Sequence, residues 1–335
     1  MNSRVIIRPA VKEDLEAISR LRVEAILGSP ARDYSSSELR QWANVQPGDR
    51  TLERILDGCV LVGQCGRQIV GSNSLDLDAA EMVGLFVSPA FQRQGLGERL
   101  VTEIERLAIQ FGLQELKVEA ALPAIPFYRA CRYEARTGAR PHKDPRTRLD
   151  SLSMSRAFPR RQTRYGARIR NLLKQSGIPG DYGRRHRLRL QPECRELATI
   201  GNDIHGREQM LTPTAAMAWY AMRNGARDDG VELQIASAFR SVGYQVSIIE
   251  RKRQAGQAIE DILKVSAAPG YSEHHTGLAV DISTPASAPL ETEFEMTPAF
   301  EWLAESADGF GFRLSYPRNN RHGIVYEPWH WAFSG

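Results

Sequence analysis

The apolar residues of the first half of the chain alternate between strand-like and helix-like spacing. Residues 4–8 alternate as a short strand, and the apolar positions from Leu15 to Ala25 recur with the period of an amphipathic helix. The remaining predicted elements are an amphipathic stretch over about 36–57, strands over 60–63, 68–72, 82–87 and 118–121, and a helix that ends at Gly112. This order predicts an α/β domain.

The second half shows a different pattern of elements. Thr212 and Pro213 form a typical helix start, a capping hydroxyl followed by proline at the first helical position, and this helix extends to Gly225. Residues 231–235 alternate as a strand, and a long helical segment covers about 243–265. The two halves share no repeat, so we expect two unlike domains in series.

The composition is that of an ordinary globular protein. With 335 residues the chain is long enough for two domains of about 150 residues, and apolar residues make up 42% of it. Apolar runs stay well short of the roughly 18 residues that span a bilayer, and the start of the chain lacks a secretory pattern. We therefore expect a cytoplasmic protein with no membrane span. The cysteines, which we expect to be reduced, are Cys59, Cys65, Cys131 and Cys194.

Positive charge is concentrated between Arg160 and Arg189. This stretch holds ten Lys or Arg against one acid, Asp181, so its own net charge is +9. The whole chain has a net charge of +4, so the remaining residues sum to −5. The basic stretch contains few aromatic residues that could stack on bases, so we do not expect a nucleic-acid partner. We expect a first domain over 1–158, a basic linker over 159–190 and a second domain over 191–335.

A glycine-containing loop connects the predicted strand 82–87 to the helix before Gly112. Backbone N–H groups of such a loop and of the helix N-terminus can converge on a pyrophosphate, and the helix dipole favours the anion. The passage from Met82 to Gly97 resembles motif A of the GNAT acyl-CoA-dependent N-acetyltransferases, and 126–133 resembles the Phe-Tyr motif of that family.

The GNAT resemblance, over about residues 3–157, implies acetyl-CoA as the acyl donor. It implies that the CoA pyrophosphate is held by Gln92, Arg93, Gln94, Gly95, Leu96, Gly97 and Glu98 and that Leu85, Phe86 and Val87 line the pantetheine arm. It further implies Tyr128 as proton donor to the departing thiolate and Glu81 as a base for the acceptor amine. The alternatives are that Phe127 and Tyr128 only pack the last helix and that Glu81 only begins a strand.

Histidines and carboxylates gather near the end of the chain in a pattern typical of a metal site. Two His and one carboxylate leave a fourth zinc position open, which is the catalytic arrangement. If 277–281 is a strand, Gly277, Ala279 and Asp281 share one face, and the two small residues leave room beside Asp281. Glu327 lies three residues before His330, so a turn would bring them together and a regular strand would separate them.

These residues resemble the VanY-like D-alanyl-D-alanine carboxypeptidases and, more broadly, the LAS zinc peptidases, over about residues 165–335. The pattern Ser-x-His-x-x-Gly-x-Ala-x-Asp is matched from Ser272 to Asp281, and Glu-x-Trp-His from Glu327 to His330. The resemblance implies zinc ligands His274, Asp281 and His330, with Glu327 as base. An upstream pattern gives Arg240, which would stabilise the oxyanion or bind a substrate carboxylate; the implied substrate-binding residues are Ser237, Gln245 and Ser272.

Together the resemblances imply a fold of class α/β plus α+β. A GNAT-like mixed sheet with flanking helices would precede a LAS-type zinc peptidase with a small antiparallel sheet and helices. The implied protein is bifunctional: it cleaves a peptidoglycan-derived peptide or D-Ala-D-Ala, with a choice between D,D and L,D bonds left open, and it transfers an acetyl group from acetyl-CoA. The alternatives are an acetyltransferase whose second domain is a peptide-binding scaffold, and a regulatory protein with two binding modules. The basic segment could attract acidic muropeptides.

Overall fold

The computed structural model describes residues 4–28, 33–44, 49–144, 147, 149–285 and 287–335. The chain separates into two compact units, Met1–Gly166 and Ala167–Gly335. Each unit has its own hydrophobic core. In the described ranges, no helix is long and apolar enough to cross a membrane.

The first unit is built on a mixed sheet with flanking helices. Its strands are β1 (Ile6–Pro9), β2 (Val60–Cys65), β3 (Gln68–Asp76), β4 (Glu81–Val87), β5 (Glu115–Ala121), β6 (Glu134–Ala135), β7 (His142–Lys143) and β8 (Asp150–Ala157). Its helices are α1 (Leu15–Leu27), α2 (Ser36–Ala43), α3 (Asp49–Leu56), α4 (Leu96–Gln110) and α5 (Ile125–Ala130). The order in the sheet is β1-β2-β3-β4-β5-β8-β6, with β7 paired to β8. The predicted stretch 36–57 therefore contains α2 and α3, and 45–48 lie outside the described residues.

Strands β4 and β5, in the middle of the sheet of the first unit, are paired over only a short length. These strands run parallel, and in the described residues their ladder consists of the pair Glu81 and Lys117. Helix α4 buries the apolar face that its spacing predicts, with Leu100, Ile104 and Ala108 at 0% exposure. Because α4 starts directly after the loop that follows β4, its N-terminus lies at the end of β4, beside the gap between the strands.

The second unit combines helices with a small antiparallel sheet. Its strands are β9 (Ala198–Asn202), β10 (Glu208–Leu211), β11 (Gln234–Ser237), β12 (Ala279–Ser283), β13 (Phe312–Leu314) and β14 (His330–Phe333). Its helices are α7 (Tyr182–Arg185), α8 (Pro213–Asp228), α9 (Val242–Gln254), α10 (Ile259–Val265) and α11 (Pro298–Ser306), and α6 (Arg160–Gln175) runs across the boundary of the units. The sheet order is β11-β12-β14-β13, and β9 pairs with β10. This architecture confirms the predicted fold class.

Two predicted elements of the second unit differ from those observed. The helical segment 243–265 is two helices, because the chain leaves the helical conformation at Gly256, where φ is +86°. The strand expected over 277–281 begins at Ala279. Gly277 instead ends a 3-10 turn at φ +66°, and a Cβ there would lie 2.9 Å from Leu197 and 3.2 Å from the amide of Thr212.

The basic segment 159–190 is largely helical. Ile169 and Leu173 of α6 are fully buried, whereas most of the charged residues of this helix are exposed. Ile169 contacts Gly270, and Tyr182 of α7 packs edge-on against Tyr271. The part of the segment after Gly166 therefore belongs to the core of the second unit and supports the chain just before its histidine motif.

Candidate functional site

Two adjacent strands and a 3-10 turn of the second unit bring its candidate ligands together. In the register of the sheet, Asp281 on β12 lies opposite Ser237 on β11 and opposite His330 on β14. His274 comes from the 3-10 turn Glu273–Thr276, which precedes β12. The three candidate ligands, His274, Asp281 and His330, are all buried, and their ligand atoms lie within 4.8 Å of one another.

The protonation pattern of the two histidines fits a metal ion. The Nδ1 of His274 lies 2.6 Å from the carbonyl oxygen of Ala238, which only accepts, so Nδ1 carries the proton and Nε2 has a lone pair. This Nε2 is buried and forms no hydrogen bond with the described residues. The Nε2 of His330 lies 3.0 Å from Oε2 of Glu273, which leaves Nδ1 of His330 as the ligand atom toward Asp281.

The spacing of these atoms also matches tetrahedral zinc. His274 Nε2 lies 3.1 Å from Asp281 Oδ2, and His330 Nδ1 lies 2.9 Å from Asp281 Oδ1. Ligands at zinc's usual bond lengths are separated by about 3.3 Å along the edge of a tetrahedron. The donor set of two imidazoles and a carboxylate thus fits zinc with a fourth position left over.

The charges of the ligands couple metal binding to proton release. Burial lowers the pKa of His274 to about 4, so this imidazole is neutral near pH 7. Burial would also lower the pKa of His330, but its hydrogen bonds with Asp281 and Glu273 outweigh that effect and raise it to about 10. A metal ion that binds here would have to displace the proton of His330, so its affinity should rise with pH.

Glu327 reaches the same site through a turn. The amide of His330 donates to the carbonyl of Glu327 at 3.1 Å, which closes a turn and confirms the first of the two arrangements considered from sequence. The carboxylate Oε2 of Glu327 lies 3.9 Å from His330 Nδ1. Burial raises the pKa of Glu327 to about 7, so this carboxyl group can accept and return a proton near neutral pH.

The other predicted residues of this site have different surroundings. Arg240 donates from Nη2 to Asp281 Oδ2 at 2.7 Å and, with Ser237 and Ser272, lines a cleft of about 810 Å³ that contains the three ligands and Glu327. Gln245 is fully buried, donates to the carbonyl of Ala267 at 2.8 Å and does not line this cleft. Its amide therefore holds the chain before the histidine motif onto α9.

Three residues at this site, Glu273 beside His330 and Lys252 and Tyr316 in the lining of the cleft, were not singled out from the sequence. Glu273 orients His330, and its position between two motif residues was a signal that could have found it. Tyr316 packs its ring 4.9 Å from the His330 ring, and Lys252 of α9 lines the cleft. Nothing in the sequence near Tyr316 or Lys252 marks either residue, because their placement depends on packing between distant segments.

The first unit forms a cavity of about 480 Å³ at the N-terminus of α4. Gly95 caps α4 at φ +79°, a conformation that glycine adopts without strain, and the first amides of a helix have no partner within it. The predicted cofactor residues that line this cavity are Leu85, Phe86, Val87, Gln92, Arg93, Gly95, Gly97 and Glu98. Two predicted residues do not line it: Leu96 is buried, and Gln94 donates to the carbonyl of Ala90.

A second cavity of about 320 Å³ adjoins the first. Both cavities are lined by Trp42, Leu85, Phe86, Ala121, Ala124 and Tyr128. Tyr128 packs edge-on against Phe127 and Tyr133, and burial raises the pKa of its hydroxyl, which therefore stays protonated. Glu81 lines only the second cavity, so it lies on the side away from the helix N-terminus. An acyl carrier in one cavity and an acceptor in the other would meet at Tyr128.

Comparisons with known proteins match the two units to two families. The profile of the acetyltransferase (GNAT) family matches residues 15–133, and that of the VanY family, D-alanyl-D-alanine carboxypeptidase, matches residues 208–335. A D-alanyl-D-alanine carboxypeptidase of Enterococcus faecium is 40% identical over 187 residues, which are 55% of this chain and 50% of that protein.

Two further relatives show how much of each protein is shared. The bifunctional D-Ala-D-Ala dipeptidase and D-Ala-D-Ala carboxypeptidase VanXYC of Enterococcus gallinarum is 34% identical over 133 residues, 37% of this chain and 67% of that protein. A GCN5-related N-acetyltransferase structure from Rhodopseudomonas palustris is 24% identical, covers 47% of this chain and 98% of its own, and has a TM-score of 0.41. The chain spans about half the length of the first carboxypeptidase relatives it matches.

Proposed function

Because the chain belongs to the VanY family of D-alanyl-D-alanine carboxypeptidases in its C-terminal region and carries a GNAT acetyltransferase domain in its N-terminal region, we propose that it is a bifunctional enzyme. The region 191–335 is a zinc-dependent carboxypeptidase or dipeptidase for peptidoglycan-derived peptides that end in D-alanine. The region 1–158 binds acetyl-CoA and transfers its acetyl group to an amine.

The observation that carries the peptidase proposal is the geometry around Asp281. His274, Asp281 and His330 offer three ligand atoms within 4.8 Å of one another, and His274 Nε2 is a buried lone pair without a hydrogen-bond partner among the described residues. When bound, zinc supplies a Lewis acid that polarises the peptide carbonyl and lowers the pKa of water. With Nδ1 protonated, this Nε2 faces the carboxylate of Asp281 with a lone pair, an arrangement that a cation between them would stabilise.

The side chains of the cleft supply the rest of the reaction. Glu327 takes a proton from the attacking water as the C–O bond forms, and it delivers that proton to the leaving amine nitrogen as the C–N bond breaks. The cationic Arg240 stabilises the negative charge that develops on the carbonyl oxygen. Ser237 and Ser272 line the cleft as hydrogen-bond partners of the peptide. The products are the shortened peptide and D-alanine.

In the first unit, Tyr128 carries the acetyl-transfer proposal because it lines both cavities. The amides from Gln92 to Glu98 hold the pyrophosphate at the positive end of α4. The Tyr128 hydroxyl gives a proton to the departing thiolate, and Glu81 receives the proton that the acceptor amine loses.

The experiment that tests the peptidase proposal measures metal content and peptide cleavage by the full-length chain. D-Ala-D-Ala, a muramyl pentapeptide and the matching tetrapeptide are incubated with the protein before and after chelation, and products are identified by mass spectrometry. We expect one zinc per chain, loss of a single D-alanine, and loss of activity on chelation that zinc restores. A chain that binds no zinc would overturn the proposal.

The acetyl-transfer proposal needs a separate measurement. Acetyl-CoA binding by calorimetry and release of CoA with a panel of amines are compared between the wild type and Tyr128→Phe. The variant keeps the ring that packs against Phe127 and Tyr133, so we expect normal acetyl-CoA affinity and a turnover lower by roughly 10²-fold. Equal turnover of the two proteins would show that Tyr128 only packs the helix.

A further inference from the structure

The cleft around the proposed zinc site is lined by cations that differ in how they are compensated. Arg240 pairs with Asp281 at 2.7 Å, Arg207 pairs with Asp203 at 2.7 Å, and Arg318 pairs with Glu295. The guanidinium of Arg251 lies 5.8 Å from the centre of the Tyr244 ring. Most of the positive charge of the cleft is therefore already held by neighbouring groups.

Among the described cations that line this cleft, Arg251 and Lys252 have no carboxylate partner, and Arg251 is exposed, so the partly buried one is Lys252. It is half-buried, its ammonium donates to Ser266 Oγ at 2.9 Å, and it forms no ion pair with the described residues. Ser266 also lines the cleft and is nearly buried, so it anchors the ammonium at the wall without neutralising it. A partly desolvated cation without a counterion is costly for a protein unless a ligand supplies the negative charge.

The position of Lys252 relates it to the catalytic groups. Lys252 lines the same cleft as Arg240 and Glu327. Burial lowers the pKa of Lys252, the charge of Arg240 lowers it further, and the charge of Glu327 raises it. The Nε of Arg240 is a buried donor without a hydrogen-bond partner among the described residues. Two cations that line one cleft, one of them with an unused donor, favour the binding of negatively charged substrate groups in that cleft.

We propose that Lys252 binds the C-terminal carboxylate of the peptide substrate and thereby makes the second unit an exopeptidase. This inference rests on the peptidase function proposed above, and it adds the residue that recognises the C-terminal end of the substrate peptide. A scissile bond and a terminal carboxylate are about one residue apart, or roughly 3.6 Å of extended chain, so the carboxylate must bind in the same cleft as the metal ligands. Arg240, held by Asp281, is then left for the oxyanion.

The test compares each substrate with its C-terminal amide, using the full-length chain. We expect the wild type to prefer the free acid over the amide by at least about tenfold in kcat/KM. Lys252→Met keeps the length of the side chain and should raise KM for the free acid about tenfold, with little change in kcat or in the reaction of the amide. Lys252→Arg should restore much of the preference. An unchanged KM, or an equal loss for acid and amide, would overturn the proposal.

Arg253 offers a matched control on the same helix. It follows Lys252 directly, carries the same charge, pairs with Glu250 and does not line the cleft. Arg253→Met should therefore keep the wild-type preference for the free acid. A loss of preference in Arg253→Met equal to that in Lys252→Met would mean that net charge, and not a carboxylate contact, is responsible.

A binding measurement separates this proposal from the peptidase proposal. The affinities of the zinc-loaded wild type and Lys252→Met for D-Ala-D-Ala and for its amide are measured by calorimetry. Tighter binding of the acid that Lys252→Met abolishes supports the role of Lys252 even if no peptide bond is cut. Cleavage without any preference for the acid in binding or turnover would leave the peptidase proposal standing and overturn this one, and absence of binding would overturn it as well.

Discussion

The two candidate sites of this chain are built from different parts of the polypeptide. In the second unit the chemistry resides in side chains: three buried ligands and a base, contributed by two adjacent strands and the turns that precede them. In the first unit the cradle at the start of α4 is formed by backbone around Gly95 and Gly97, and the surrounding cavity has mostly apolar walls. A side-chain site constrains residue identity, whereas a backbone site constrains conformation, so the two leave different traces in a sequence.

This difference explains why the sequence identifies the residues of the zinc site in the second unit more completely than those of the cofactor site in the first unit. Zinc requires nitrogen and oxygen donors, so each ligand has few permitted residue types. A helix N-terminus requires only glycine or small residues that let a phosphate approach. The assignment of Tyr128 and Glu81 as the reactive groups of the first unit therefore depends on where they lie in the two adjoining cavities.

The largest effect is expected from removing the base of the side-chain site. Glu327→Gln preserves size but cannot accept a proton, so kcat for peptide hydrolysis should fall by roughly 10²–10⁴-fold while zinc content stays the same. Acetyl transfer by the first unit should be unaffected. Steady-state kinetics and metal analysis check this, with Glu291→Gln, a carboxylate of the same cleft, as the control. Normal kcat in Glu327→Gln would remove Glu327 from the mechanism.

A smaller effect is expected one step away from the metal. Glu273 accepts from His330 Nε2 at 3.0 Å, so Glu273→Gln should lower zinc affinity by roughly 10–100-fold. Competition with a zinc chelator measures this affinity. The exposed Glu301→Gln on α11 serves as the control, since it removes the same charge far from the ligands in sequence. If both variants bind zinc equally well, Glu273 does not orient His330.

The backbone site should respond to conformation instead of chemistry. Gly95 has φ +79° and open space around a Cβ, so Gly95→Ala introduces strain of about 1–2 kcal/mol without a clash, and acetyl-CoA affinity should fall by about tenfold. Gly138→Ala is matched, because Gly138 has φ +75° and equally open space but does not line the cavity. Calorimetry should show normal affinity for Gly138→Ala. Equal losses in both variants would mean that general destabilisation explains the effect.

The smallest functional effect is expected outside both sites, at Asp203. Burial would raise the pKa of Asp203, but backbone hydrogen bonds from Arg207 and His205 and the Arg207 side chain lower it. Asp203→Ala leaves these donors unpaired and should lower the free energy of unfolding of the second unit by about 1–3 kcal/mol. Thermal unfolding measures this, and the transition of the second unit is recognised because added zinc shifts it. Because the pKa of Asp203 is lower in the folded than in the unfolded chain, its charge stabilises the fold fully at pH values above the ordinary carboxyl pKa. This stabilisation is lost as the pH falls through the lowered pKa of the folded state. The cost should therefore stay constant above about pH 4 and shrink below it. A cost that does not change with pH would exclude the charge of Asp203 as its source.

Much of the fold could be predicted from periodicity and helix signals. Strands β1 to β5 of the first unit and the start of α8 at Pro213 appear close to where the pattern predicts them, whereas β6, β7 and β8 were not predicted. Boundaries were less predictable, because the break at Gly256 and the left-handed Gly277 depend on single backbone conformations. The basic segment was the least predictable, since its charges conceal the buried Ile169 and Leu173.

The sequence by itself determined which residue types could perform the chemistry. The histidine and aspartate motif, Glu327 before His330 and the glycines before α4 identify two families because metal ligation and phosphate binding restrict those positions. Only the tertiary structure decided which atoms meet. Asp281 and His330 are 49 residues apart, and strand pairing brings them within hydrogen-bond distance. The same long-range packing buries Gln245 away from the cleft and places Lys252 in it. No local pattern encodes these outcomes, because each depends on contacts between segments that are distant in the chain.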